Sequence, residues 1–384
     1  MKNKKVFWIQ LLFLSGISFS IVSYLVYLQL NDNSGRYMSD SFAHLVFLYR
    51  YFYTPDYYIP HPLWHISTFY LARIFHMGIE EAASISSGLF MALWTALVYC
   101  ISVYELRDRS RLLPLLTTFI AITIGPLCIP WYNRIIFLGQ GSPNIWHNVT
   151  LWTVKPFALL SFWYTIRFLE KTNYFRFAII GIVSTIISLF AKPSYVIVFL
   201  PSLATYMLLN RNFHKRSLFY FFALSTTSIF ILIYQYIHTF GKKGASHIIL
   251  DPLGVWSLSS QNITVSILLG LAFPISFTFL ESRIIRRAEI QLSWLMVFFG
   301  ILYYALFAQS GKYYSHGNFG WSYMIAMSFL YLFTIIEYVR IYFKIKEWKR
   351  CILSPLLGIQ AVTGIYYLLK VLQGQNPLYI SIFF

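Results

Sequence analysis

The chain reads as an all-α, polytopic transmembrane bundle of about eleven helices, each run long enough to approach the 20 or so residues a bilayer requires. Three observations predict this. First, 58% of the 384 residues are hydrophobic and only 11% are charged, whereas a soluble chain carries about one quarter charged residues. Second, 36 Phe and 30 Tyr exceed what one water-facing globule of this size can hide. Third, long apolar runs alternate with short polar stretches, and Lys and Arg cluster in every second stretch. Nothing has the length and composition of a soluble domain, so residues 1–384 are expected to form one integral membrane domain.

The basic clusters orient the runs. They are Lys2, Lys4, Lys5; Arg107, Arg109, Arg111; Lys171, Arg176; Arg211, Lys215, Arg216; Arg283, Arg286, Arg287; and Arg340, Lys344, Lys346, Lys349, Arg350. Placing them all in the cytoplasm satisfies the positive-inside rule and gives crossings at 6–30, 82–104, 112–132, 150–169, 174–191, 195–209, 217–239, 263–280, 290–308, 319–340 and 351–371. The N-terminus is then cytoplasmic and the C-terminus exoplasmic. The net charge of +17 belongs to this bias, so no nucleic-acid partner is expected. The segment Leu63–Ile79 is left out because counting it inverts every later loop, and because it carries His65, Arg73 and His76. The run Val6–Leu30 is too long for a signal-peptide core and lacks a small-x-small cleavage site, so it reads as an uncleaved first helix. Cys100, Cys128 and Cys351 are too scattered for a disulfide framework or a metal site.

This topology leaves two informative exoplasmic segments, 31–81 and 133–150. The first contains two amphipathic stretches, Ser39–Tyr53 and Pro62–Gly78. Both are expected to be helices lying in the membrane interface with their apolar faces down. Ser39 is the expected N-cap of the first, with Asp40 in the first turn, and Pro62 suits the start of the second. The linking run Tyr53–Pro62 is rigid and aromatic and includes Asp56 and His61. The second segment holds Arg134, Asn144, Trp146 and His147, a mixture of hydrogen-bonding and stacking groups suited to sugars. Its glycines do not form a phosphate-binding P-loop, which needs a Lys-Ser/Thr ending.

Of the 13 carboxylates, only Asp32, Asp40, Asp56, Glu80, Glu81 and Asp251 fall outside. Any acid–base chemistry on that face draws on these or on histidine. Asp40 and His44 are four apart and share a helix face; together they are the candidate catalytic pair, the alternative being that Asp40 only complements the helix dipole. Lys155 and Lys192 are candidates for holding a lipid phosphate, since lysines in membrane helices face cavities or anions; the alternative is snorkelling to the headgroups. His61, His65 and His316 complete the candidate binding set with Asp56. No spacing among them supports a metal, and no cofactor is expected. The sequons at Asn148 and Asn262 lie too close to helix starts to be expected acceptors.

The stretch Tyr37-Met38-Ser39-Asp40-Ser41-Phe42-Ala43-His44, followed by His61-Pro62-Leu63, resembles the first loop of the GT-C superfamily of multi-pass glycosyltransferases. The resemblance covers residues 1–110 in detail and the remainder only as a helix count. It implies a sugar carried on a polyprenyl-phosphate donor and transferred to an exoplasmic glycan, lipid or protein acceptor, as in cell-envelope polysaccharide biosynthesis, with Asp40 acting on the acceptor hydroxyl. The chain lacks the family's Asp-x-Asp pair at residue 40 and the large soluble C-terminal domain of the oligosaccharyltransferases. Two other readings stand beside this one: a polysaccharide polymerase or ligase of the Wzy or WaaL kind, and a flippase or transporter of lipid-linked glycans. Cysteines placed one at a time on intact cells test the topology: a thiol at Tyr57 should react with an impermeant reagent and one at Arg109 should not.

Overall fold

The computed structural model describes residues 4–32, 34–129, 139–170, 175–241 and 246–376. Arg134, one of the candidate binding residues, lies outside them. The described residues form fifteen α-helices and a two-stranded antiparallel ribbon, Ile248–Leu250 with Phe307–Gln309. The ribbon was not expected; it extends from the end of the helix Ala288–Leu306.

All eleven expected crossings contain helix, yet they are unequal. Among the described residues, six helices are long and apolar enough to cross a membrane: α1 (Lys4–Asn31), α4 (Ile79–Glu105), α9 (Lys215–Phe240), α13 (Ala288–Leu306), α14 (Gly320–Ile341, with flanking turns) and α15 (Glu347–Leu372). A seventh is added if α11 (Ile263–Gly270) and α12 (Ala272–Leu280) count as one span bent by 73°. α5 (Leu112–Thr123), α7 (Phe175–Ala191) and α8 (Ser194–Leu209) are shorter. At 1.5 Å per residue, the 12 residues of α5 cover about 18 Å, well short of a hydrocarbon core of about 30 Å. α6 (Val149–Glu170) is long enough but carries Lys155 and Arg167.

The bend at Leu271 has a local cause. Pro274 lacks an N–H and its ring opposes the carbonyl four residues back, on Gly270. That carbonyl accepts instead from the Tyr331 hydroxyl, at 2.6 Å, and the Phe273 N–H donates to Gln360 Oε1, at 3.0 Å. Backbone groups freed inside a membrane need such partners. α14 is the axis around which the bundle packs. Every residue from Gly320 to Tyr338 is buried, and α14 contacts α4, α5, α6, α8 and α13. α1 lies against α4 at Gly88, where a β-carbon would come within 2.9 Å of the Phe19 carbonyl oxygen.

The segment 139–148 departs from expectation. It was predicted as part of an exoplasmic loop, but Gly139–Asn148 is buried throughout. It survives there because the helices supply hydrogen bonds to its backbone. Lys155 Nζ and Ser328 Oγ both donate to the Pro143 carbonyl, Trp152 Nε1 to Ile145 and Trp256 Nε1 to Gly139.

At the far end of α6, a half-open cleft of about 570 Å³ is lined by charged residues. Glu105 pairs with Arg167 (2.9 Å), Arg287 (2.8 Å) and Arg340 (3.3 Å); Glu289 pairs with Arg167 and Arg287, and Glu337 with Arg287 and Arg340. These residues come from four helices or their flanks, all assigned by sequence to one side of the membrane. Glu105 is 7% exposed and shared by three arginines, so removing it strands buried positive charge. Glu105→Ala is expected to destabilise the fold by about 3–5 kcal/mol, measurable as a lowered midpoint in detergent-solubilised unfolding, with Glu170→Ala at the rim much milder.

Candidate functional site

The site is assembled where the N-termini of two helices meet. α2 (Ser41–Tyr53) begins immediately after Asp40, and α6 begins immediately after Asn148. Asp40 occupies the N-cap position of α2, one residue later than expected. Its side chain makes no capping bond; the Ser41 N–H instead donates to Ser39 Oγ. The carboxylate is thereby free to accept from Asn148 Nδ2, at 2.7 Å. At this position the carboxylate lies at the positive end of the α2 dipole and also joins α2 to the residue that caps α6.

Asn148 serves both helices. Its Oδ1 caps α6, accepting from the Leu151 N–H (2.9 Å) and from the Thr150 hydroxyl (2.9 Å). Thr150 Oγ1 in turn accepts from Lys192 Nζ, at 2.9 Å. An unbroken chain of hydrogen bonds thus runs from the Lys192 ammonium through Thr150 and Asn148 to the Asp40 carboxylate. The Asp40 N–H donates to the His147 carbonyl (3.1 Å), tying the two segments a second time. Lys192 also lies 5.1 Å from the centre of the Trp321 ring, which borders His147. Two helix N-termini and an ammonium make this corner favourable to anions.

Three imidazoles stand behind it. His44 Nδ1 and His65 Nε2 are 3.1 Å apart, one donating and the other accepting, and the His44 ring faces those of His61 and Trp64. α3 (Leu63–Phe75) turns Trp64, His65 and Thr68 inward, while Tyr70 and Ile74 point out. α2 does likewise, with His44 inside and Phe42 and Tyr49 outside. The inward face of each helix mixes polar and apolar side chains, Ser41, His44, Leu45 and Leu48 on α2 and Trp64, His65 and Thr68 on α3, while Arg50 and Arg73 point out. Burial, reinforced by His65, His61 and Lys192, holds His44 well below the usual histidine range; burial and Lys192 do the same to His61. Burial pushes His65 down to about 3, against an opposing contact from the His61 carbonyl. His147 is also lowered by burial, with Asp40 opposing and Lys192 assisting. At neutral pH all four are neutral donors and acceptors.

No protein-family model, curated protein or solved structure matches this chain.

The expected site is therefore gathered in part. Asp40, His44, His61, His65, His147 and Lys192 converge. His44 serves His65 rather than Asp40: its backbone N–H bonds the Asp40 carbonyl, and the imidazole turns to the other histidine. Lys155 does not face a lipid phosphate. It is 1% exposed, bonds the Pro143 carbonyl and Asn144 Oδ1, and sits over Trp94; its Nζ hydrogen bonds hold the buried segment. Asn144 caps the end of α5 through the Ala121 and Ile124 carbonyls. Trp146 is buried beside an apolar groove. Asp56 is exposed at a left-handed turn (φ 58°), and His316 is exposed beside Tyr313; neither has a described contact with the cluster. Among the described residues, no group of three His, Cys, Asp or Glu is placed to hold a metal.

Sequence reasoning places Asn148 and Thr150 in the polar segment before α6, and Trp321 at the end of another polar segment, without assigning any of them a role in the site. Asn directly before an apolar helix is itself an N-cap signal. The neutral histidines set a pH dependence. Below the ordinary value of 6.5, the unfolded chain binds protons that the folded chain refuses, so stability falls as pH falls. His65 contributes about 1.4 kcal/mol per pH unit across the interval from 6.5 to about 3. Unfolding midpoints should drop on acidification from neutrality, and His65→Gln should flatten that slope.

Proposed function

We propose that this chain is a membrane glycosyltransferase that moves a sugar from a polyprenyl-phosphate donor to a glycan, lipid or protein acceptor on the face that carries Asp40. The reading rests on one observation: a partly exposed carboxylate, aimed by Asn148 and linked through Thr150 to a buried ammonium, at a corner where two helices present their N-termini. Such a site suits a displacement in which a hydroxyl is activated while a phosphate leaves.

Asp40 accepts the proton of the acceptor hydroxyl as its oxygen bonds to the anomeric carbon. The bond from that carbon to the phosphate oxygen breaks, and polyprenyl phosphate departs with the electron pair. Lys192 and the α6 N-terminus stabilise the charge that develops on the phosphate. One carboxylate suffices for a single inverting displacement, in keeping with a chain poor in acids. The neutral imidazoles of His61 and His147 offer hydrogen bonds to sugar hydroxyls.

A hydrophobic groove of about 260 Å³ supports a lipid-borne donor. It is bordered by Leu14, Ile17 and Val22 of α1, Phe119 and Ile122 of α5, and Trp146. Trp146 directly precedes His147, so one chain segment borders the groove and contributes to the site.

Incubating the purified chain with a labelled polyprenyl-phosphate sugar and membrane-extracted acceptors tests the reading. Asp40→Asn should lower kcat by about 10²–10⁴, the usual contribution of a general base, while retaining donor binding. Donor binding without any transfer by the wild type, or full activity in Asp40→Asn, overturns it and favours the transport class.

A further inference from the structure

Gln29 is a buried amide near the C-terminal end of α1, 7% exposed on a helix that is otherwise largely apolar. Both ends of its side chain are engaged. Nε2 donates to the Trp146 carbonyl at 2.9 Å, and Oε1 accepts from the Ser41 hydroxyl at 3.0 Å. Ser41 immediately follows Asp40. Trp146 lies two residues before Asn148. One rigid amide therefore spans the two segments whose side chains form the Asp40–Asn148 bond.

The chemistry of that span is specific to glutamine. The position needs a donor and an acceptor in one planar group, on a stem long enough to reach both segments. Methionine matches the shape and offers neither. The backbone bond from Asp40 to the His147 carbonyl (3.1 Å) joins the two segments at one point; Gln29 joins them at another, through Ser41 and Trp146. α1 makes only a small direct contact with α2, so this amide is a principal polar tie between the first membrane helix and the start of the loop.

We propose that Gln29 is a positioning residue: it fixes Asp40 against Asn148 by holding Ser41 and Trp146 in register. It touches no reacting atom. The role it serves rests on the glycosyltransferase reading, but its geometric consequence does not.

Two measurements separate these layers. In the first, Asp40→Cys is placed in the full chain and its reaction rate with a small methanethiosulfonate reagent is followed in detergent, with and without Gln29→Met. Release of the segment should raise the rate about tenfold or more, and Ser41→Ala, which removes one bond and keeps the amide, should raise it less. Equal rates in all three overturn the proposal whatever the chain catalyses. In the second, Gln29→Met in the otherwise native chain should lower kcat of sugar transfer by about 10- to 100-fold, the scale of a misplacement near 1 Å, with the donor KM unchanged. Combining it with Asn148→Ala should cost no more than the worse single variant. Additive losses, or a loss that only tracks the folded fraction, mark Gln29 as ordinary packing and overturn the proposal. Wild-type chain that shows no transfer defeats the functional reading alone, and the thiol rates still decide the position of Asp40.

Discussion

The geometry of the candidate site depends on the side chain of Asn148. Its oxygen closes the first turn of α6 and its nitrogen holds the Asp40 carboxylate. An amide has one acceptor end and one donor end, and here they are shared between two helices that start at the same corner. Without that split, Asp40 would be an N-cap like any other, bonded to its own helix. With it, the α2 N-terminus, the α6 N-terminus and the Lys192 ammonium act on one small volume.

A second constraint sets the surroundings. The segment 139–148 runs through the interior without secondary structure to satisfy its backbone. Each carbonyl left over demands a donor, and α6, α14 and α10 (Gly254–Ser257) provide Lys155, Trp152, Ser328 and Trp256. The cost of burying an unpaired peptide group, several kcal/mol in an apolar medium, explains why a lysine stands in the second turn of the buried helix α6. Lys155 therefore anchors the platform from which Trp146, His147 and Asn148 are presented. The same principle governs the break at Leu271, where Tyr331 and Gln360 take up the backbone groups that Pro274 disturbs.

The two ends of α6 are opposite in character. At Val149 the site holds one carboxylate, one ammonium and neutral histidines. At Glu170 a dense lattice of arginines and glutamates locks the ends of α4, α6, α13 and α14 together. Its charges are mutually compensated, so it binds helix to helix. At the site Lys192 reaches the Asp40 carboxylate only through two intervening side chains, Thr150 and Asn148.

By itself, the sequence determined the composition of the solvent this chain requires, the positions of its helices and the scarcity of its acids. Those follow from local apolar runs and from counting, and they placed Asp40, His44, His61, His65, His147 and Lys192 on one short list. Tertiary structure decided what each of them does. His44 could be paired with Asp40 by spacing on a helix, yet its ring meets His65, which comes from a different helix. Lys155 and Lys192 look alike in sequence, each beside a Pro; only packing sends one to a buried carbonyl and the other to Thr150. The length of α5 and the bend at Leu271 were equally hidden, because a hydrophobic run records solvent preference and not where backbone hydrogen bonds find their partners. Contacts between residues a hundred positions apart, such as Asp40 with Asn148 and Gln29 with Trp146, leave no trace in periodicity.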